Sequence, residues 1–512
     1  VKGDYVSSLV LSGTVVGVDG VPVSVEVDLV RRLPRVTIVG LPASAVREST
    51  ERVRSAILST GLDFPRMCVT VNLAPGDLRK DGTGLDLPIA LAILAASDQI
   101  PKAPLNSCIF AGELSLNGSL RGIRGGLSLA MLAAEKGVSK IVLPEGCAGE
   151  AAMVPGVTVC AANTLSDVVR FIRGEQELPA ALASAQSEEE GTVDMADVRG
   201  QDLARRALEI SAAGGHNLLM VGPPGVGKTM LAARLPTIMP RMSFEETLDV
   251  TRVHSVAGLL PTFGGVVERR PFRAPHHTIS AAGLLGGARL QPGEVTLAHR
   301  GVLFLDEFPE FSRGLLEQLR GPLEDRVVVL SRAAGTVQFP AACMLVAAAN
   351  PCPCGFLGHP VVPCRCTESM LRRYSSRLSG PLLDRIDLYV SVDPIETETL
   401  FRRSKSESSK SVRLRVERAR KLQFKRFTGS TVTCNAELHA GNVREVANAT
   451  VPAVRALKRA VESMSISGRG HDRILKIGRT IADLDGSSDV QLSHIAEAIA
   501  YRPRNSGFRG ES

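Results

Sequence analysis

The sequence predicts a multidomain α/β protein in which an N-terminal α+β domain, a parallel α/β core and a C-terminal helical lid follow one another. Three observations predict it. The chain has 512 residues, room for roughly three or four domains of ~150 residues. A glycine-rich loop at 222–229 separates an apolar strand pattern from a helical one, the order that marks a parallel phosphate-binding sheet. Beyond Pro394 the apolar spacing is helical.

In residues 1–173, Val23 to Val27, Arg35 to Val39, Cys68 to Leu73 and Lys140 to Leu143 read as strands. They alternate with helical stretches at Ala45 to Leu58, Pro88 to Ala96 and Leu127 to Lys136, which gives the α+β domain. Residues 174–192 mix Ala, Ser and Gln with Glu188, Glu189 and Glu190 and show little periodicity, so a linker is expected there. The core spans 193–395, with a helix at Leu203 to Ala213 and strands at His216 to Val221, Val302 to Leu305 and Met344 to Ala348. Within it, an insertion (258–299), a hairpin (327–339) and a cysteine-rich stretch (350–367) stand out. Residues 396–512 form a basic connector and the lid, with helices at Val412 to Gln423, Ala453 to Met464, Ile474 to Leu484 and Ser493 to Tyr501.

Composition excludes some classes. Apolar residues at 44% and charged residues at 22% are ordinary globular usage and argue against a disordered chain. With 15 Phe, 4 Tyr and no Trp, base-stacking platforms are disfavoured. No apolar run approaches the ~18 residues of a membrane span; Leu87 to Ala96 is short and contains Pro88. A cytoplasmic protein without a membrane partner is expected, its ten Cys serving as thiols or metal ligands rather than disulfides. The chain opens on Val1 rather than Met, so a few native residues are expected ahead of it. The net charge is +7, yet Phe401 to Phe427 alone holds eleven basic residues against Glu407 and Glu417. That run suits a polyanion or a solvated helix face.

Gly222-Pro223-Pro224-Gly225-Val226-Gly227-Lys228-Thr229 fits G-x-x-x-x-G-K-[ST]. Backbone N–H groups of such a loop cradle the phosphates of ATP, the lysine reaches the outer ones and the threonine ligates Mg²⁺. Val302 to Leu305 then delivers two carboxylates to its end: Asp306 for the Mg²⁺ shell and Glu307 to polarise the attacking water.

These residues, with Asn350 after the next strand, resemble the AAA+ ATPases, where Asn350 would be the first sensor. Pro381-Leu-Leu-Asp384-Arg385-Ile-Asp387 resembles the arginine-finger segment of magnesium chelatase ATPase subunits and minichromosome maintenance helicases, with Arg385 acting in trans. Ser467-Gly-Arg469-Gly-His-Asp-Arg473 resembles their second sensor, assigned to Arg469 with Arg473 in reserve. A finger from a neighbour implies a ring, and the resemblance implies a hexamer. Ile38-Val-Gly-Leu-Pro42, Arg47-Glu48-Ser49, Lys80-Asp-Gly-Thr-Gly-Leu-Asp-Leu-Pro88, Arg270-Pro-Phe-Arg-Ala-Pro-His276-His277-Thr-Ile-Ser280 and Asn350-Pro-Cys-Pro-Cys-Gly355 resemble, over nearly the full length, the YifB/ComM family of magnesium-chelatase-like ATPases. That resemblance implies cytoplasmic hexamers that bind branched DNA and drive branch migration during natural transformation. A protein-remodelling ring and a chelatase subunit are the alternatives. The first domain resembles the protease domain of Lon, but Gly84 stands where that pattern has its Ser and Ser128 where it has its Lys. The fold is expected without peptide hydrolysis.

Cys352, Cys354, Cys364 and Cys366 form two close pairs able to converge on a structural Zn²⁺; uncoordinated thiols and a redox role are the other readings. His276 and His277 are adjacent, so on an extended segment their rings should point opposite ways. Arg269, Arg270 and Arg273 in the insertion, and Arg332 in the hairpin, are the candidate DNA contacts; they would hold phosphates without reading sequence.

Overall fold

A computed structural model describes residues 6–183, 193–260, 265–287, 290–332, 335–378, 380–395 and 406–502. Its first sheet has the order β1 (Val6–Val16), β2 (Asp19–Val30), β4 (Cys68–Ala74), β3 (Arg35–Val39), antiparallel except for the β3/β4 pair. β2 buries Val23, Val25, Val27 and Leu29 at alternate positions, the period of a sheet with one covered face. Helices α1 (Ser49–Ser59) and α2 (Asp86–Ala96) join that core. Every residue of α2 is buried, as an all-round apolar helix must be. A second, parallel sheet of β5 (Cys108–Phe110), β6 (Lys140–Pro144) and β7 (Thr158–Ala162) completes the domain with α3 (Gly126–Glu135) and α4 (Glu145–Ala151).

The linker expected from residue 174 needs correction. Ala161 donates its N–H to Pro179 O at 2.9 Å, Ala181 donates to Val159 O at 2.8 Å, and Leu178 is buried. The open edge of β7 captures this segment, so the chain stays with the first domain through Ala181. Gly84 packs near Ile123, and the buried Ser128 hydroxyl donates to Val18 O at 2.6 Å. Neither position offers a Ser–Lys dyad.

The core is an all-parallel sheet in the order β9 (Phe272–Arg273), β10 (Val302–Leu305), β13 (Met344–Ala349), β8 (Leu218–Val221), β14 (Leu388–Ser391), with the hairpin β11 (Val327–Arg332) and β12 (Gly335–Pro340) between β10 and β13 in the chain. Both faces are covered, which is why β10 and β13 are unbroken apolar runs. One face shares a single core with α5 (Asp202–Gly214), α6 (Lys228–Ile238) and the lid helices α8 (Ser409–Arg426), α9 (Val451–Ser463), α10 (Gly468–Leu484) and α11 (Leu492–Ala500). The other face packs on α7 (Phe244–Ala257) and on Val328, Leu330, Val337 and Phe339 of the hairpin. Helix α7 begins with a capping box, Ser243 with Glu246, and ends at Gly258 with φ +72°, both standard helix signals.

The basic run resolves into two kinds of residue. On α8, Arg415 pairs with Glu209 of α5 at 2.6 Å, joining the lid to the core, and Arg426 pairs with Asp483 of α10 at 2.6 Å, tying two lid helices together. Lys410, Arg418, Lys421 and Lys425 are exposed. Arg402, Arg403 and Lys405 lie outside the described residues.

The first domain docks on the core through a buried polar node. Ser255, near the end of α7, donates to Glu150 Oε1 at 2.6 Å and accepts the Gly125 N–H at 3.0 Å; Arg252 pairs with Asp19 at 3.1 Å. Burial pushes the Glu150 carboxyl up to about 7, against the lowering effect of Ser255 and of the Leu127 and Gly126 N–H groups. An acid with a raised folded-state value favours the fold most below its unfolded value, and that contribution is lost as pH climbs through about 7. The free energy of unfolding of this chain, from urea titration, is therefore expected to fall between pH 5 and pH 8 by about 2–3 kcal/mol more than that of Glu150→Gln. Equal pH dependence in the two proteins would refute the assignment.

Candidate nucleotide site

The C-terminal ends of β8, β10 and β13 converge on one edge of the sheet, where a parallel α/β fold leaves its crevice. β8 runs into Gly222, where a Cβ would lie 2.1 Å from Val392 O, so only glycine fits between the loop and the strand beside it. Gly225 and Gly227 take φ of +81° and +89°, bending the backbone back towards the start of α6 at Lys228. Val226 anchors the loop by packing against the main core. Lys228 is mostly buried and donates to Gly222 O at 2.7 Å, Pro223 O at 2.8 Å and Asn350 Oδ1 at 3.2 Å. Burial lowers its pKa, partly offset by Asp306.

Asp306 follows β10, accepting the Thr229 hydroxyl at 2.7 Å on Oδ2 and the Glu307 N–H at 2.9 Å on Oδ1. Glu307 sits at φ +50°, a left-handed backbone that turns its carboxylate out over the cleft. These residues and Pro224 line a cleft of about 650 Å³. Thr229 and Asp306 are hard oxygen donors side by side, suited to Mg²⁺.

The structure adds the histidine pair. His276 and His277 both line the cleft, their ring centroids 4.2 Å apart, and His277 Nδ1 lies 3.0 Å from Glu307 Oε2. The expectation of opposed rings is thereby overturned: the segment leaves β9 in a bend, and strict alternation holds only on a straight strand. The same segment corrects two candidate DNA contacts. Arg270 is only partly exposed, donating to Pro240 O at 2.6 Å and Arg300 O at 2.7 Å and pairing with Glu246 at 2.7 Å. Arg273 grips Glu294 through two bonds of 2.6 and 2.7 Å. Both are held by carboxylates of their own chain, so neither presents a bare charge to a phosphate. Arg269 is exposed, and Arg332 is exposed at the hairpin tip opposite Gly335. The insertion thus contributes an edge strand and a wall of the cleft.

Arg385 and Arg469 do not reach this cleft. They line a larger cavity of about 950 Å³ between core and lid that includes no residue of the phosphate loop. Arg385 pairs with Glu324 there, and its carbonyl accepts from Asn217 Nδ2 at 2.8 Å. Arg473, the reserve sensor, is buried and donates to Ile386 O at 3.2 Å and Asp384 Oδ1 at 3.4 Å. It braces the loop that carries Arg385, a positioning task.

The cysteines come together directly behind Asn350. Cys352 Sγ lies 3.4 Å from Cys354 and 3.7 Å from Cys364, Cys354 lies 3.6 Å from Cys364, and all four sulfurs, Cys366 included, fall within 4.8 Å of one another. Four thiolates at ~2.3 Å around a tetrahedral Zn²⁺ stand about 3.8 Å apart, so the set fits that ion. Backbone N–H groups of Arg365 and Phe356 pull the Cys354 thiol down to about 6, whereas burial pushes Cys352 up, so within the cluster the thiolate forms first at Cys354. The knuckle also touches the phosphate loop: at Gly355, φ +84°, a Cβ would lie 2.6 Å from Pro224 Cδ. Tyr374, in the helix after it, donates to Asn350 O at 3.2 Å.

The described residues contain no helix long and apolar enough to cross a membrane. Comparison with known proteins covers most of the chain. Residues 194–400 match the family description "Magnesium chelatase, subunit ChlI", residues 25–146 "Subunit ChlI of Mg-chelatase" and residues 406–502 "Magnesium chelatase, subunit ChlI C-terminal". Competence protein ComM of Haemophilus influenzae is 41% identical over 502 residues, 97% of each chain. The uncharacterized protein YifB of Escherichia coli is 40% identical over 499 residues, again 97% of each. DNA replication licensing factor Mcm2 of Drosophila melanogaster is 24% identical over 221 residues, 40% of this chain and 22% of that one. A phosphate loop and acidic pair on a parallel sheet suit an AAA+ type core, and similarity of this extent along the whole length makes the chain a member of the YifB/ComM family of magnesium-chelatase-like ATPases.

Proposed function

We propose that this protein is an ATP-driven AAA+ motor that works on DNA as a ring, a hexamer by family resemblance, and moves branch points during uptake of foreign DNA. The observation that carries the reading is the separation of the two arginines from the phosphate loop. Lys228, Thr229, Asp306 and Glu307 line one cleft while Arg385 and Arg469 line another, so a complete site forms where one copy's arginines face the next copy's phosphates. In that site Lys228 meets the outer phosphates and Glu307 orients water, its carboxylate held at His277. Asn350 fixes Lys228 and the water from the side. Arg385 and Arg469 of the neighbour meet charge on the phosphoryl group from opposite Lys228. Mg²⁺, when bound by Thr229 and Asp306, supplies charge neutralisation on the phosphates.

DNA as substrate draws support from the competence name of one relative and the DNA replication name of another, and from the exposed Arg332 at the tip of a hairpin whose base is locked into the core. Peptide hydrolysis is not part of the reading, since the Lon-like positions Gly84 and Ser128 carry no dyad. ATP hydrolysis and strand exchange measured on a four-way junction and on linear duplex test it. The junction is expected to stimulate both, with binding that weakens steeply as salt rises. An ATPase indifferent to any DNA would sink the motor reading.

The four cysteines are assigned a structural Zn²⁺. Metal analysis of the purified chain is expected to find about one Zn per chain. Stripping it releases the loop that rests on Pro224 and weakens ATP binding about tenfold, the equivalent of ~1.4 kcal/mol. Tight ATP binding in protein shown to be zinc-free would refute the coupling.

A further inference from the structure

The first domain carries an arginine cluster at the end of its sheet farthest from the core. β2 starts at Asp19, which pairs with Arg252 of the core, and ends at Val30. Its 12 residues span about 35–40 Å at ~3.3 Å each. At the far end, Val30 of β2 and Arg35 of β3 both stand opposite Cys68 of β4. The turn at 31–34, the start of β3 and Arg66 just ahead of β4 therefore share one sheet edge. Arg31, Arg32, Arg35 and Arg66 are all exposed there, and the exposed Arg54 of α1 lies over the Phe64 ring at 5.8 Å.

Among the described residues none of these five arginines has an ion-pair partner, unlike Arg52, Arg270, Arg273 and Arg415. The acids nearest in the chain, the half-buried Asp28 and the exposed Glu51 and Asp63, are fewer than the arginines and pair with none of them. With strands ~4.8 Å apart, the turn after β2 and the start of β3 straddle β4 at about 10 Å. Guanidinium groups fork onto phosphate oxygens, and a nucleic-acid backbone offers a row of them. Leu33, 88% exposed, is the one large apolar residue of the turn, far less apolar surface than a membrane-seated element uses.

We propose that this edge is a second phosphate-binding surface for nucleic acid, one that grips an arm of the substrate about 35 Å from the point where the first domain meets the core. The proposal rests on the DNA-motor reading and extends it to a domain that has no role there. Arg31, Arg32, Arg35 and Arg66 hold the backbone of the arm, and since they contact no base edge they do so without sequence preference.

Fluorescence anisotropy on a labelled four-way junction tests it, using the full chain, the triple variant Arg31→Gln/Arg32→Gln/Arg35→Gln, and Arg66→Gln. The triple variant is expected to bind at least about tenfold more weakly near 0.1 M salt, and its slope of log K against log salt should be shallower by about 2.7, three phosphates at ~0.9 each. Arg66→Gln should lose about 0.9 of slope. ATP hydrolysis without DNA and the thermal midpoint should not change, because these side chains are exposed and far from the cleft. Unchanged affinity and slope in a wild-type background that binds the junction would overturn this inference and leave the motor reading standing. A wild-type chain that binds no DNA overturns both. Intact DNA binding with loss of binding to phosphatidylserine vesicles or to polyglutamate would reassign the edge to a membrane or an acidic protein, and so overturn it as well.

Discussion

Glu307→Gln is expected to bind ATP as the wild type does and to hydrolyse it about 10²–10⁴ times more slowly, the range spanned by loss of a general base. The substitution keeps the shape of the side chain and its neighbourhood with His277 while removing the group that accepts the proton. Lys228→Ala should instead lose ATP binding and turnover together, because the amine is seated inside the loop by three oxygen acceptors. Nucleotide affinity by equilibrium binding and turnover by phosphate release separate the two. Normal turnover in Glu307→Gln would place the base elsewhere in the cleft, with His277 the first residue to examine.

Arg385→Ala is expected to lower hydrolysis about 10³-fold or more, the scale set by arginine fingers, with ATP binding intact because Arg385 is absent from its own cleft. Mixing it with Lys228→Ala should restore activity. In a mixture of equal parts about one interface in four would join an intact phosphate loop to an intact finger, so recovery to roughly a quarter of the wild-type rate is expected. Absence of recovery at every ratio, with mixed rings shown to form, would mean the site is not shared. The pairing with Glu324 predicts a companion effect: Glu324→Gln leaves Arg385 without that carboxylate and should change the rate only when neighbouring copies are assembled.

The parts of this site that could be read in the sequence are those whose chemistry is contiguous. The loop from Gly222 to Thr229 and the pair Asp306–Glu307 each follow a short apolar strand, and local order alone places them at the end of a parallel sheet. The four cysteines were legible for the same reason. Arg270 and Arg273 were misread because a positive charge in a sequence does not announce its partner; Glu246 and Glu294 lie more than twenty residues away in the chain and reach them only through the fold. The histidines were misread because the alternation rule was applied to a segment that bends. Glu150 and Ser255, 105 residues apart, carry no local signal of their contact. The segment at 178–181 looked like a linker because its short apolar pattern becomes a strand partner only beside the open edge of β7.

The shared interior of sheet and lid limits how the two can move. Phe304 and Val346 of the sheet share a continuous apolar interior with Ile474, Ile477 and Ile481 of the lid. Swinging the lid away would wet these side chains at about 1.5–3 kcal/mol each, more than fluctuations supply and a large share of the free energy of one hydrolysed phosphate. Sheet and lid therefore behave as one stiff lever.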